Sequence, residues 1–256
     1  MLNWKDKVVL ITGASSGIGR GLALELAGRG ARVGLLARRS EVLEEIVTEI
    51  NAQQREAVAL VADVRDAAQV RVAADRLRSH FGSIDLLIAN AGIGGTTDAI
   101  ELLPDEVRKV IEINLIGAVN SVAAVVPEMV RQGKGQLVAI SSLSAYRGLP
   151  KSAAYCASKA AMSSFFESLR IDLAGKGLDV TIIHPGFIKT PLTAGRKAKL
   201  PFLLELNDAV KKIVWAIETK QESYAFPWQL ATVVRVGMLL PNSVYDWIAR
   251  RNSFRE

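Results

Sequence analysis

Cysteine and histidine, which build disulfides and most transition-metal sites, are scarce in this chain. The 256 residues include one cysteine, Cys156, and two histidines, His80 and His184. A single cysteine excludes an internal disulfide and any multi-cysteine metal site. The two histidines are far apart in sequence and lack the spacing of metal ligands. No metal site is therefore expected, and Cys156 is interpreted as a small packing residue.

Long basic blocks and long apolar runs are also missing. The net charge is +6, yet no run of Lys and Arg exceeds two residues, so the charge is interpreted as dispersed over the surface. Without a basic helix or an aromatic-basic stacking platform, no nucleic-acid partner is expected. No stretch reaches the ~20 apolar residues that span a bilayer. The N-terminus lacks the segments of a signal peptide, so we expect a cytoplasmic location.

What the chain does contain is a regular alternation of short apolar runs and amphipathic segments. Half of the residues are hydrophobic, which is ample for a core, and the length fits one α/β domain covering residues 1–256. Strands are predicted at 8–11, 32–37, 58–61, 86–89, 136–140, 180–184 and 224–226, and the main helices at 17–29, 41–51, 67–81, 104–131, 153–174 and 207–219. This order predicts a Rossmann-like doubly wound parallel sheet of about seven strands, with helices on both faces and a C-terminal helical extension over 228–256.

A glycine-rich turn follows the first predicted strand. Gly13, Gly17 and Gly19 have the spacing G-x-x-x-G-x-G, and an apolar-periodic helix begins there. Glycine allows a tight turn and close approach to a ligand. The start of a helix offers free N–H groups and the positive end of its dipole. With a strand before it and a helix after it, the turn is predicted to cradle a phosphate; a plain tight turn is the alternative.

The tip of the second strand reads Ala37-Arg38-Arg39-Ser40. In dinucleotide sites an acidic residue at this point holds the ribose hydroxyls. Here no carboxylate repels a 2′-phosphate, and a guanidinium can pair with one. NADP (NADPH) rather than NAD is therefore predicted, with Arg38 as the main contact. The alternative is an ordinary exposed pair of arginines.

Tyr155 and Lys159 are four residues apart, which places them one turn from each other on one face of a helix. A phenol is a poor acid or base near neutrality because its unperturbed pKa is ~10, and a nearby ammonium favours the phenolate. Ser142 follows the fifth strand, at the sheet edge where open α/β sheets bind ligands. It is preferred over Ser141 as the hydroxyl that faces Tyr155. The alternative is an exposed helix that carries Tyr and Lys by chance.

Two further polar residues stand out from their surroundings. Asp63 ends the third strand, where it could accept a hydrogen bond from an adenine amino group. Asn114 lies between Ile113 and Leu115 in the predicted helix 104–131. A buried asparagine needs partners. A helix kink, a structural hydrogen bond and a water-holding role at the site all remain open for Asn114.

The motifs resemble the short-chain dehydrogenase/reductase family in its compact single-domain form, over about residues 5–195. T-G-A-S-S-G-I-G, N-A-G, Ser142, Y-C-A-S-K and P-G-F-I-K-T occur in the order and spacing of that family, and Ala37-Arg38 resembles its NADP-preferring pattern. The resemblance implies a catalytic set comprising Asn114, Ser142, Tyr155 and Lys159, with Asn114 holding a relay water. It implies cofactor contacts from Gly13, Ser15, Ser16, Gly17, Ile18, Gly19, Arg38, Arg39, Asp63, Val64, Asn90, Ala91, Gly92, Tyr155, Lys159, Pro185, Gly186, Ile188 and Thr190.

The activity implied by this resemblance is an NADP(H)-dependent oxidoreductase that interconverts a carbonyl and a hydroxyl, with Tyr155 as general acid/base. The alternative is a non-catalytic NADP-binding regulator or sensor, against which the intact set of Ser142, Tyr155 and Lys159 argues. The segment 190–206 mixes apolar and basic residues. It is predicted to form a lid over a pocket for a hydrophobic carbonyl or alcohol substrate.

The C-terminal extension combines aromatic and basic residues, among them Tyr245, Trp247, Arg250 and Arg251. This composition suits an oligomer contact or a cap on the substrate pocket, and the packing or oligomer interpretation is preferred. It also suits peripheral contact with a membrane surface. The family resemblance implies a homodimer or homotetramer that packs through the helices at 104–131 and 153–174.

Overall fold

A seven-stranded sheet of parallel strands forms the centre of the molecule, in the order β3-β2-β1-β4-β5-β6-β7. The computed structural model describes residues 3–194 and 200–251. The strands are β1 (Val8–Thr12), β2 (Arg32–Ala37), β3 (Ala57–Val61), β4 (Leu86–Ala89), β5 (Gly135–Ile140), β6 (Leu178–Pro185) and β7 (Ser223–Phe226). The strand order turns back between β1 and β4, which confirms the predicted doubly wound sheet.

Helices connect the strands and cover both faces of the sheet. They are α1 (Gly17–Gly28), α2 (Ser40–Asn51), α3 (Ala67–Phe81), α4 (Pro104–Ile111), α5 (Gly117–Gln132), α6 (Ala153–Asp172), α7 (Leu206–Glu218), α8 (Trp228–Leu239) and α9 (Asn242–Arg251). A π-helical turn (Glu112–Ile116) joins α4 to α5, and a short 3-10 turn (Leu143–Ala145) follows β5.

The strands carry apolar side chains on both faces because both faces are covered. In β1, Ile11 packs into the core on the side of α1, α2 and α7, while Leu10 packs on the side of α3, α5 and α6. On the second side, Phe166 of α6 is fully buried. The two cores hold the strands in register, so the carboxyl ends of the strands lie along one edge of the sheet.

The predicted helix 104–131 is present as a continuous helical segment, Pro104–Gln132, that contains one π-helical turn not predicted from the sequence. The π-helical turn between α4 and α5 inserts an extra residue into the hydrogen-bond ladder, and Asn114 lies in it. Such turns occur often at functional sites. The other predicted boundaries differ from the structure by a few residues, within the ordinary fraying of element ends.

The segment Pro104–Gln132 has 29 residues and a mean hydropathy of 1.7 in one window, so it could cross a membrane by length and composition alone. In the structure it lies against the sheet, with Val122, Val125 and Met129 buried in the core. A helix that covers a sheet needs the same apolar composition as a membrane span. The packing therefore accounts for its hydropathy.

Parts of the predicted lid and tail lie outside the described residues, namely 195–199 and 252–256. Next to the former, Leu204 pairs with Ile188 in an isolated parallel bridge, which returns the chain beside the P-G-F-I-K-T segment. In the tail, the predicted helical extension is present as α8 and α9. Ala231 is the buried residue of α8, and the described part of α9 has none.

Candidate active site

The glycine turn leaves bare backbone at the start of α1. Gly13 and Gly17 have φ values of +66° and +54°, in the region that favours glycine. A Cβ on Gly13 would lie 2.8 Å from Ala91 Cα, and one on Gly19 would overlap the carbonyl oxygen of Gly13. Ser16 precedes the helix without a side-chain capping bond. The first N–H groups of α1 are therefore available to an anion.

Asn90 braces this turn from the neighbouring strand. Its Nδ2 donates to the carbonyl oxygen of Thr12 at 2.9 Å. The Thr12 hydroxyl oxygen accepts the backbone N–H groups of Asn90 and Ala91, each at 3.0 Å. The side-chain amide of Asn90, predicted as a cofactor contact, is thus engaged with the protein. Thr12 was not predicted as a site residue, although it is the first residue of the motif T-G-A-S-S-G-I-G.

Arg38 and Arg39 follow β2 beside the glycine turn, and a third guanidinium, that of Arg65, lies beyond the end of β3. Arg39 Nη2 donates to Ser15 Oγ at 2.9 Å and to its carbonyl oxygen at 3.2 Å. The Arg38 side chain is 63% exposed, and its Nη1 lies 3.9 Å from Asp63 Oδ2. Asp63 in turn pairs at 2.7 Å with Arg65, which was not predicted. The hydrogen bond from Arg65 lowers the pKa of Asp63, so this carboxylate is an acceptor near neutral pH.

At the opposite end of the cleft, Lys159 is buried next to Tyr155. Lys159 Nζ donates to the carbonyl oxygen of Ile140 at 2.7 Å and lies 6.0 Å from the centroid of the Tyr155 ring. Burial lowers the pKa of Lys159 to about 8, because the ammonium has lost its water. Lys159 therefore remains an ammonium below that pH, within one helical turn of the phenol.

The two serines after β5 point to different partners. The Ser141 hydroxyl lies 3.1 Å from the carbonyl oxygen of Lys159 and 2.7 Å from Ser163 Oγ, under α6. Ser142 Oγ lines the cleft and accepts the Ser144 N–H at 3.1 Å. Accepting this bond leaves the Ser142 hydroxyl proton for another acceptor. Ser142 and Tyr155 both line the cleft, and the role of Ser142 as the hydroxyl that faces Tyr155 stays a prediction.

His184 lies behind Ser142. This position of His184 was not predicted from the sequence. Its Nδ1 is 3.4 Å from the carbonyl oxygen of Ser142, and its ring centroid is 4.9 Å from that of Tyr146. Burial lowers its pKa to about 4, so the imidazole is neutral at physiological pH. His184 therefore packs behind Ser142 without adding a charge at this end of the cleft.

Asn114 is fully buried in the π-helical turn, where its side-chain amide forms three hydrogen bonds. Its Oδ1 accepts the Ile93 N–H at 2.8 Å, and its Nδ2 donates to the Ile93 carbonyl at 3.0 Å and to Ser158 Oγ at 3.0 Å. These are structural hydrogen bonds, and the water-holding role of Asn114 stays a prediction. They join α6 to Ile93, the residue that follows Gly92 of N-A-G, and a Cβ on Gly92 would lie 3.5 Å from Lys159 Nζ.

The glycine turn, Arg38, Arg39, Asp63, Asn90, Ser142, Tyr155 and Lys159 line one cleft of about 540 Å³ at the carboxyl ends of the strands. Of the predicted site residues, Gly19 and Asn114 lie behind its wall. The wall also includes residues that were not predicted as contacts: Ala37, Ala62, Ile93, Gly94, Ile113, Ile140, Ser141, Pro191, Leu192 and Thr193. A bare glycine cradle, an uncapped helix start and a carboxylate at the β3 tip fit a dinucleotide. Fold and cleft together define a Rossmann-type dinucleotide-binding protein.

Comparison with known proteins identifies the family. The chain matches the short chain dehydrogenase model over residues 7–201, and it belongs to that family. It is 46% identical over 253 residues to an oxidoreductase of Myxococcus xanthus, covering 98% of this chain and 99% of that protein. It is 43% identical over 198 residues to 11-beta-hydroxysteroid dehydrogenase 1A of Arabidopsis thaliana. That match covers 76% of this chain but only 56% of the plant protein.

Solved structures share the fold over nearly the whole chain. A short chain dehydrogenase/reductase from Burkholderia phymatum, in complex with NAD, superposes with a TM-score of 0.85 and 25% identity, covering 92% of this chain and 94% of that one. Levodione reductase superposes with a TM-score of 0.81 and 26% identity, covering 89% and 98%. The chain is therefore an oxidoreductase of the short-chain family in both sequence and architecture.

Proposed function

We propose that the protein is an NADP(H)-dependent oxidoreductase that interconverts a carbonyl and a hydroxyl on a hydrophobic substrate. The observation that carries the proposal is that Tyr155, Ser142 and the buried Lys159 line the same cleft as the glycine cradle. A nicotinamide nucleotide, when bound, supplies or accepts the hydride. The NAD in the Burkholderia phymatum structure supports a nicotinamide cofactor for this fold.

The residues of this chain move and hold the proton. Tyr155 gives its phenolic proton to the carbonyl oxygen during reduction and takes it from the hydroxyl during oxidation. Ser142 donates its hydroxyl proton to the same oxygen, since its own oxygen already accepts the Ser144 N–H. The ammonium of Lys159 favours the phenolate of Tyr155 through its charge. We assign the relay water to the region of Asn114. The π-helical turn that contains Asn114 alters the α-helical hydrogen-bond pattern beside the site.

The preference for NADP is supported by the charges at the β2 tip. Arg38 is exposed at the rim of the cleft, and Arg39 is held against Ser15 of the glycine turn. A 2′-phosphate between them would form charge-assisted hydrogen bonds, which are about twice as strong as neutral ones. Asp63 lies 3.9 Å from Arg38 and offsets part of its charge. The preference is therefore a balance of two cations against one carboxylate.

The hydrophobic substrate is supported by the cleft wall and by the names of relatives. Ile93, Pro191 and Leu192, all apolar, line the cleft. The plant relative is named for a hydroxysteroid and the solved neighbour for levodione. A cyclic ketone or the corresponding secondary alcohol is the substrate class that these observations favour.

A panel of carbonyl compounds tests the proposal directly. Purified protein is incubated with NADPH or NADH and a steroid ketone, a monocyclic diketone, a linear alkanone or a polar keto acid. We expect cofactor consumption to be faster with NADPH and with the cyclic ketones. Tight NADPH binding without consumption on any member of the panel would contradict the proposal and favour a nucleotide sensor.

Assembly and location complete the proposal. We infer a cytoplasmic homo-oligomer, supported by the exposed apolar side chains Ile116, Val130 and Ile171 on the helices that the family uses for packing. Size-exclusion chromatography with light scattering measures the oligomeric state, and a monomer at micromolar concentration contradicts the proposed homo-oligomer. The membrane contact of the extension stays a separate hypothesis, for which Trp228, Leu239 and Trp247 are exposed. Co-sedimentation with anionic liposomes at low and high salt tests it.

A further inference from the structure

The loop joining Ser142 to Tyr155 reaches the end of helix α8 through Arg147. Arg147 Nη1 donates to the carbonyl oxygens of Gly237 and Leu240, the latter at 3.1 Å. Its Nη2 donates to Asn242 Oδ1, at the start of α9, at 2.7 Å. The last carbonyls of a helix have no partner within it and carry the negative end of its dipole. Arg147 therefore caps α8 from a loop that belongs to the active site.

Tyr245 of α9 completes this contact. The Arg147 guanidinium carbon lies 3.8 Å from the centroid of the Tyr245 ring, a stacked cation–π arrangement. The Tyr245 hydroxyl donates to the carbonyl oxygen of Gly148 at 2.6 Å. Two adjacent loop residues are thus held by α9. We call the contacts of Arg147 and Gly148 with Gly237, Leu240, Asn242 and Tyr245 the latch.

Helix α8 also touches the other wall of the cleft. A Cβ on Gly186, a residue that lines the cleft, would lie 2.9 Å from Leu230 Cδ2 in the first turn of α8. On the loop itself, Tyr146 packs on His184 behind Ser142. The helix therefore spans the substrate side of the site, from the β6 end at its start to the catalytic loop at its end.

Apolar packing does little to fix this helix pair. Ala231 is the buried residue of α8, and in α9 the described residues include none. Leu239, one residue from the latch, is 85% exposed. A pair of helices with so little buried surface depends on its directional contacts for a defined position. The latch supplies those contacts on the side of the active site.

We propose that Arg147 and Tyr245 latch the α8–α9 pair to the loop between Ser142 and Tyr155, and thereby position the substrate side of the site. The inference rests on the proposed oxidoreductase function. The latch belongs to the half of the sheet containing β5, β6 and β7, whereas the glycine cradle and Arg38 lie at β1 and β2. Arg147 and Tyr245 are positioning residues, and their latch contacts include no predicted cofactor residue, so the NADPH Kd is expected to change little without them.

Kinetics of single variants test the latch with NADPH and the ketone of the panel that has the highest kcat/KM. Arg147→Met raises KM ~10-fold with kcat changed less than ~3-fold, because binding rather than proton transfer is impaired. Tyr245→Phe keeps the ring, loses the bond to Gly148 and raises KM ~3-fold. Arg147→Lys recovers part of the loss, since it keeps a cation at the end of α8 but loses the planar fork. The NADPH Kd stays within ~2-fold of wild type in all three.

Arg251 offers a matched control on the same helix. Its guanidinium carbon stacks 4.0 Å from the centroid of the Trp247 ring, within α9, and among the described residues it has no hydrogen bond to the loop. Arg251→Met therefore leaves KM unchanged. Equal KM values for Arg147→Met and Arg251→Met would overturn the latch, as would a parallel loss of NADPH affinity. Tyr245→Phe, which removes one hydroxyl, decides the question if Arg147→Met fails to fold.

Hydrogen exchange separates this inference from the proposed function. In Arg147→Met the loop 143–152 exchanges faster than in wild type, while β1 and β4 are unchanged. Unchanged exchange in that loop would overturn the latch even where kinetics are altered. If the wild-type protein consumes no NADPH with any ketone, the proposed function fails, and the exchange comparison still decides the latch.

Discussion

The two ends of the cleft hold their positive charges in different ways. At the catalytic end Lys159 is 4% exposed and donates to the carbonyl oxygen of Ile140 at 2.7 Å. At the nucleotide end the Arg38 side chain is 63% exposed and lies 3.9 Å from its nearest carboxylate contact, Asp63. The protein itself completes the geometry at the catalytic end, whereas a ligand is needed to complete it at the nucleotide end. Substitutions at the Lys159 end should therefore abolish turnover, whereas substitutions at the Arg38 end should change the nucleotide affinity only in part.

Replacing the phenol tests the catalytic end most severely. Tyr155→Phe removes the proton donor and is expected to lower kcat ~1,000-fold, in the range that general acid–base catalysis contributes. The NADPH Kd should stay within ~3-fold, because the glycine turn and the arginines at the other end are untouched. Stopped-flow kinetics and fluorescence titration measure the two quantities. A Phe variant with a tenth of wild-type activity would refute the role of Tyr155.

The burial of Lys159 predicts a dependence of stability on pH. Its pKa is about 8 in the folded protein, against 10.5 for the exposed group. Between these values the unfolded chain binds the proton and the folded protein has released it, so the free energy of unfolding rises with pH through this window. From pH ~7.5 to ~9.5 we expect a rise of about 2 kcal/mol that Lys159→Met lacks.

Urea unfolding of the two proteins at both pH values measures this difference, since other titrating groups cancel in the comparison. Lys176, which is exposed in the turn between α6 and β6, provides the control. Lys176→Met should keep the full rise. An equal pH dependence in wild type and Lys159→Met would show that the amine is hydrated in solution, and the contrast between the two ends of the cleft would then disappear.

Substitution at the nucleotide end should reduce the affinity for NADPH without abolishing binding. Arg38→Gln removes one charge-assisted contact and is expected to weaken NADPH ~10- to 30-fold, with NADH binding changed less than ~2-fold. Arg71→Gln, an exposed change on α3, serves as the matched control and should alter neither Kd. Isothermal titration with both nucleotides measures the effect. Equal losses for NADPH and NADH would mean that Arg38 does not contact a 2′-phosphate.

The same contrast explains what the sequence could predict. Strand ends, the glycine spacing and the Tyr155–Lys159 pair are local patterns, and the parallel sheet brings them to one edge whatever the details of packing. The bonds that hold them are not local. Asn114 bonds to Ile93 and Ser158, which are 21 and 44 residues away. A single sequence offers no periodicity from which such partners can be inferred.

The π-helical turn and the latch illustrate the same limit. The segment Pro104–Gln132 has a helical pattern and a strongly apolar window, so its sequence predicts an ordinary α-helix and gives no sign of the π-helical turn that contains Asn114. Arg147 appears in the sequence as an ordinary loop arginine. Its role depends on the carbonyls of a helix about 90 residues later, at Gly237 and Leu240. Tertiary partners, rather than local propensity, decide both features.

Salt provides the mildest test of the difference between the two ends. Raising ionic strength from about 0.05 M to about 0.5 M screens exposed charges but not buried ones. NADPH should lose several-fold more affinity than NADH, because the extra phosphate meets the exposed Arg38 and Arg39. At saturating NADPH, kcat should change less than ~2-fold, since Lys159 is shielded from the solvent. In Arg38→Gln the additional salt dependence of NADPH should shrink. If NADPH and NADH weaken equally with salt in the wild-type protein, the exposed guanidiniums do not bind the 2′-phosphate, and the preference for NADP has to be sought elsewhere in the cleft.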